Sequence, residues 1–196
     1  MRIVLTTIIF VILIGGCAKP PLKSYIFSTP KVAKQSPIFK DKIVKVDYPK
    51  SIEDGSNVNI YYFNDSNLTR SYYKYHQWSL PLNRLVMAHI IDTLTKSHLF
   101  KNVINYSSKV SSDYLLETTI YKFSQEIKDK CSYADISINL RLIDRDGSLI
   151  KSRYFNYKIK TDSIDAPSFV KASNEAMKRF SRDLIKWLRK QDVRAK

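Results

Sequence analysis

Three histidines, two cysteines and eighteen acidic residues are the side chains best suited to hold a metal ion. No two of His76, His89 and His98 stand four apart on one helix, and none clusters with a cysteine, so the spacing of a metal site is missing. There is no Gly-x-Ser-x-Gly and no glycine-rich phosphate loop; the chain has only four glycines. Asp144 and Asp146 are close, but Asp144-Arg145-Asp146-Gly147 is a turn sequence that explains both without acid–base work. His89 falls on the apolar stripe of a helix and reads as a core residue. The sequence therefore predicts neither an enzyme nor a bound cofactor.

Aromatic side chains offer binding instead. Tyr61, Tyr62, Phe63, Tyr72, Tyr73, Tyr75 and Trp78 lie on one hairpin and its exit. One set should face the core. Exposed rings of the other set would suit a protein interface, and Tyr73, Tyr75 and Trp78 are the candidates for partner contact. The competing reading is a tyrosine-rich packed sheet edge with its hydroxyls in water. Asp65-Ser66-Asn67-Leu68-Thr69 fits the acidic extended glycosylation sequon of some bacteria, which makes Asn67 a candidate modification site on a loop tip.

The amino terminus carries the other reactive group. Met1-Arg2 is a short basic start, Ile3 to Ile14 is almost wholly apolar, and Gly15-Gly16-Cys17 follows. Basic, apolar, then small residues is the order of an export signal. The apolar run is shorter than the ~20 residues of a membrane-spanning helix. Leu13-Ile14-Gly15-Gly16-Cys17 resembles the lipobox of bacterial lipoproteins. The resemblance implies cleavage before Cys17, a diacylglyceryl group on its sulfur and acylation of the new terminus, an anchor that two or more chains hold firmly. Ala18, not Asp, follows the cysteine, which resembles sorting to the outer membrane. An ordinary secretory signal with a chance cysteine is the alternative.

Lipidation of Cys17 leaves Cys131 unpaired, so no disulfide would staple the fold; Cys131 reads as a half-buried residue at a strand entry. The formal charge is +15. In the cytosol that would suggest nucleic acid, a partner that export removes. An exported basic protein meets anionic phospholipid headgroups, lipopolysaccharide or an acidic protein face. Lysines spread along a solvated surface are the plain alternative; only the end, from Lys178 to Lys196, is locally dense in basic residues.

Periodicity divides the chain into a signal peptide (1–16), a lipid-anchored tether (17–40), one domain (41–190) and a basic tail (191–196). The tether contains Pro20, Pro21, Pro30 and Pro37 and should be extended and mobile, with Tyr25-Ile26-Phe27 as an apolar island able to dock as a short strand. Strands are predicted from Ile43 to Tyr48, Val58 to Phe63, Arg70 to Tyr75, around Val103-Ile104, from Tyr114 to Phe123, across Ala134 to Leu142, and from Leu149 to Ile159. Ala134, Ile136, Ile138, Leu140 and Leu142 alternate with polar residues, which implies one dry face and one wet face. A helix is predicted from Pro81 to near Ser97, with Leu82, Leu85, Val86, His89, Ile90, Thr93 and Leu94 on one stripe. A second starts at Asp165-Ala166-Pro167, with Asp165 as N-cap and a stripe of Phe169, Ser173, Ala176, Met177, Phe180, Leu184, Trp187 and Leu188. The predicted fold is a single α/β domain: a mixed, mostly antiparallel sheet with two main amphipathic helices.

This order of parts is familiar. A lipobox and proline-containing tether precede a strand, a tyrosine-rich hairpin and Trp78-Ser79-Leu80-Pro81-Leu82 opening a helix. Ser97-His98-Leu99-Phe100-Lys101-Asn102-Val103, Asp113-Tyr114-Leu115-Leu116-Glu117, Leu142-Ile143-Asp144-Arg145-Asp146-Gly147 and a last helix follow. The layout resembles the ABC-type transport auxiliary lipoproteins that accompany MCE-domain lipid transporters of the Mla and Pqi kind, over roughly Lys42 to Leu188. The resemblance implies a non-catalytic lipoprotein on the periplasmic face of the outer membrane. Its partners would be an MCE-domain protein and an ABC permease complex, its work phospholipid transport, and its fold similar to the TolB amino-terminal domain. Oligomeric state stays open. The alternative is a structural or assembly lipoprotein of the envelope, such as an adhesin or a lipopolysaccharide-assembly partner.

Overall fold

The computed structural model describes residues 20–190. The signal peptide, Cys17 and the basic tail expected over 191–196 lie outside these residues. Strands β1 (Lys23–Tyr25), β2 (Phe39–Val46), β3 (Lys50–Ser51), β4 (Asn59–Asn64) and β5 (Thr69–Trp78) precede helix α1 (Leu82–Ser97). Strands β6 (Phe100–Asn105), β7 (Tyr114–Lys128), β8 (Cys131–Asp144) and β9 (Leu149–Lys160) follow, and helix α2 (Ala166–Arg189) ends the series.

Strand β7 is the spine of one mixed sheet. Along one side it pairs antiparallel with β8 over its whole length, and β8 pairs antiparallel with β9. Its other side is met in turn by three short parallel strands: β2 at Tyr114–Leu116, β3 at Thr119–Ile120 and β4 at Gln125–Ile127. Strand β6 extends the sheet beyond β2 in parallel, β5 pairs antiparallel with β4, and β1 runs parallel to β5 at the outer edge. The long ladders are thus antiparallel and the short ones parallel, as a mixed, mostly antiparallel sheet.

Both helices cover one face of this sheet. The predicted stripe of α1 is buried from Leu82 to Leu94, as is the stripe of α2 from Phe169 to Leu188. The core gathers these with Val44, Val46, Ile60, Leu116, Ile120 and the alternating apolar residues of β8. Asp165 caps α2 by accepting the Ser168 backbone N–H at 2.7 Å, and the Ser163 hydroxyl with that bond holds its carboxyl below the usual carboxylate range. No side chain caps α1. Its first turn leans on the Gly55 loop instead: the Asn83 backbone N–H donates to the Gly55 carbonyl at 3.1 Å. A Cβ on Gly55 would lie 2.2 Å from Asn83 Oδ1, so only glycine allows this approach. His98 ends α1 in the left-handed conformation (φ 56°), the position usually given to Gly or Asn.

Two sequence expectations change here. The segment expected as a mobile tether to residue 40 is instead bound to the domain from Lys23 onward. Tyr25-Ile26-Phe27 does dock: β1 pairs with β5, and the Phe27 ring lies 5.2 Å from Trp78, 5.5 Å from Phe123 and 5.9 Å from His89. Beyond it Pro30 is buried, and the Gln35 backbone N–H donates to the Ser97 carbonyl. The prolines pre-set an extended backbone, so binding this strap orders fewer free torsions than composition suggests. The second change concerns the wet face of β8, where Asp135 and Ser137 are buried as well. Lys122 of β7 lies across that face, its Nζ 3.1 Å from Asp135 Oδ2, and the hydrogen bond raises the lysine's pKa.

Candidate functional site

The hairpin of β4 and β5 arranges its aromatics as cross-strand pairs. Tyr61 meets Tyr72 at 6.3 Å and Tyr62 meets Tyr73 at 5.0 Å, while the Arg70 guanidinium stacks 3.7 Å above the Tyr61 ring. The Tyr73 hydroxyl hydrogen-bonds Gln125 of β7, and burial pushes its pKa up. Gln125 in turn donates to Ser132 Oγ at 2.9 Å. Tyr73 therefore anchors the hairpin to the sheet more than it faces outward, and Tyr75 is half-buried with Lys74 over its ring.

Trp78 corrects the expectation of a partner contact. It is 1% exposed and packs edge-on against Phe27, Phe123 and Phe169. The ring that does stand out is Tyr72, 52% exposed. The pairing slips between Asn59 opposite Gln77 and Tyr61 opposite Tyr72, so β5 carries extra residues there. Such a bulge shifts the alternation of faces, and nothing in the spacing of the tyrosines announces it.

Asn67 sits on the exposed hairpin tip, where its Oδ1 accepts from the Thr69 hydroxyl at 2.6 Å and the Thr69 N–H at 3.3 Å. Its neighbour Leu68 is 75% exposed and has φ 55°. A leucine rarely takes this left-handed conformation.

His89 lies in the seam between α1 and α2. Its Nε2 is 2.7 Å from Ser181 Oγ and 3.2 Å from the Met177 carbonyl oxygen, and Thr93 Oγ1 is 3.0 Å from the same Ser181 oxygen. Desolvation lowers its pKa to about 4, against a weaker opposing effect of the Met177 carbonyl. A Ser–His pair could in principle deliver a nucleophile. Here Ser181 is buried, its hydroxyl donates to the Met177 carbonyl at 3.2 Å, and it does not line the neighbouring groove. The pair fastens two helices. His89 also lines, with Phe27, Ser28, Pro30 and Leu85, an open groove of about 200 Å³. His76 accepts or donates to the Tyr25 hydroxyl at 2.8 Å, and His98 is the α1 cap. Among the described residues no group of His, Cys, Asp and Glu could hold a metal ion, and Cys131 is a half-buried free thiol opening β8.

No described helix covers the opposite face of the sheet. Across it run ion pairs between neighbouring strands: Arg141 with Glu117 at 3.0 Å, Lys122 with Asp135, and Lys158 with Glu126 at 2.6 Å. Between them Tyr121 and Tyr154 touch at 5.6 Å and stay largely exposed. This face can bind a surface but has no group poised for chemistry. Among the described residues no helix is long and apolar enough to cross a membrane.

Comparison with known proteins agrees with this absence of catalytic geometry. A family model described as "ABC-type transport auxiliary lipoprotein component" matches residues 25–184, from β1 into α2. The crystal structure of protein XCC0632 from Xanthomonas campestris superposes with TM-score 0.70 at 17% identity, covering 84% of this chain and 94% of that one. Protein CT253 from Chlamydia trachomatis gives TM-score 0.55 at 9% identity, covering 76% and 95%. These likenesses show the fold. Protein bll6063 of Bradyrhizobium diazoefficiens is 26% identical over 110 residues, 56% of this chain but only 30% of that protein's length.

Proposed function

The chain belongs to the family of ABC-type transport auxiliary lipoprotein components, and on that premise we propose that it is the lipid-anchored accessory subunit of an MCE-type phospholipid transporter. It is a non-catalytic envelope lipoprotein of an ABC-type transport system. In the finer reading, Cys17 carries the acyl chains and the domain stands on the periplasmic face of the outer membrane. There it docks an MCE-domain protein coupled to an ABC permease. One observation carries this reading: the family match spans nearly the whole described domain, not one short motif. The bare polar face of the sheet and the net positive charge support a docking role near anionic lipid.

Gentle crosslinking followed by purification of the full-length protein from detergent extract tests the proposal. Recovery of an MCE-domain protein and the permease is the expected result. Recovery of a lipopolysaccharide-assembly or surface-export complex, with no transporter component, would replace this reading with that of an assembly lipoprotein.

A further inference from the structure

Resting on the reading that Cys17 is lipidated, we infer that the β4–β5 hairpin tip and the β7–β8 turn beside it form the surface that lies against the bilayer, on its anionic phospholipid headgroups. The direction of β1 is the first observation. It runs parallel to β5 with Lys23 opposite His76, so the chain enters β1 from the side of the hairpin tip. Cys17 is only six residue steps from Lys23, and six steps reach at most about 20 Å. Six residues back along β5 from His76 is Arg70, at the base of the tip. The anchor's reach therefore matches the level of the tip.

The opposite end is out of range. Gln77 opposite Asn59, and Tyr62 opposite Gln125, put Lys23 about level with Ile136. From there β8 runs eight residues away from the tip to Asp144, about 26 Å at strand spacing.

The chemistry of the tip is the second observation. Leu68 stands 75% exposed at the tip, Tyr72 is 52% exposed three residues along β5 from Thr69, and Ile164, 44% exposed, follows β9. Asp65 at the tip is joined to the β7–β8 turn through the Ile127 carbonyl and Lys128, and Thr161 after β9 bonds the Ser132 carbonyl, so these segments share one end. Lys130 in the β7–β8 turn and Lys160 at the end of β9 lie there with no carboxylate partner among the described residues. Isolated apolar and aromatic side chains beside such lysines are the pattern of a headgroup-level contact. Leu68 adds a further point: Asn or Gly would take its left-handed turn position without strain, so the leucine supplies only an apolar tip. A glycan on adjacent Asn67 would hold this tip off the lipid, so that modification and this contact exclude each other.

The test places full-length lipidated protein in vesicles of phosphatidylethanolamine and phosphatidylglycerol containing brominated phospholipid, which quenches tryptophan on contact. Leu68→Trp and, should that variant fold poorly, Ser66→Trp report the tip; Asp146→Trp reports the far end. Native Trp78 and Trp187 are buried and give a constant background. The expected result is loss of most of the tip tryptophan emission, no loss at position 146, and weaker quenching when phosphatidylcholine replaces phosphatidylglycerol. Protein that floats with the vesicles while its tip is quenched no more than position 146 overturns this inference and leaves the anchor standing. Equal quenching in both lipids overturns the headgroup contact. Protein that does not float overturns the anchor reading and this inference together.

Discussion

Replacing His89 by glutamine should remove most of the protein's stability change between pH 6.5 and 4. The wild-type imidazole is buried and held neutral, with a pKa of about 4, while the unfolded chain protonates it near its ordinary value of about 6.5. The unfolded state therefore binds more protons in this window, and stability falls as pH falls. The His89 contribution is complete above pH 6.5 and gone near pH 4. The difference corresponds to on the order of 3 kcal/mol, or roughly 6–12 °C in melting temperature for a domain of this size. Glutamine keeps a donor near Ser181 Oγ and the Met177 carbonyl and does not titrate. The assay is urea unfolding followed by the emission of buried Trp78 and Trp187, at a series of pH values. Asp165, Glu175, Asp113 and Asp54 have lowered pKa values and add acid sensitivity at lower pH, equally in both proteins. Identical pH slopes for wild type and His89→Gln would refute the claim that this histidine is buried uncharged.

Three further outcomes follow from the packing. Gly55→Ala should cost roughly 1–3 kcal/mol in denaturant unfolding, because the new methyl meets Asn83 Oδ1 and Ser51 at the start of α1; an unchanged midpoint would show that the loop yields freely. Leu68→Asn should raise stability by up to about 1 kcal/mol by relieving the left-handed leucine, and a lower melting temperature would contradict the absence of tip packing. Phe27→Ala should cost about 2–4 kcal/mol and abolish amide-exchange protection in the strap from residue 26 to 35, since its ring contacts hold the strap to Trp78 and Phe123. Retained protection would mean that backbone hydrogen bonds alone keep it bound.

These cases show where sequence is informative. Both helices were legible because their stripes and stops are local: Asp165 and Pro167 open α2, and the apolar spacing of α1 ends at Ser97. The alternation in β8 was equally plain, apart from Asp135 and Ser137, whose burial depends on Lys122 and neighbours on other strands. The apolar island Tyr25-Ile26-Phe27 was legible as a docking strand, but the binding of the rest of the strap was not, because the partners that hold it, from Trp78 and Phe123 to Ser97, are distant in the chain. Trp78 was placed on the wrong side because the slip in β4–β5 pairing leaves no local mark. Strand β3 has two residues and exists only through β7. On the hairpin, Tyr72 and Leu68 are the large side chains left exposed, whereas Trp78 is buried.

The most direct measurement is intact mass spectrometry of the protein purified from cell envelopes, with sequencing of its amino-terminal peptide. The expected species is a chain beginning at Cys17 whose sulfur bears a diacylglyceryl group and whose amino group is acylated. A free thiol at Cys17 with residues 1–16 still attached would contradict the placement at the membrane and the transport role built upon it.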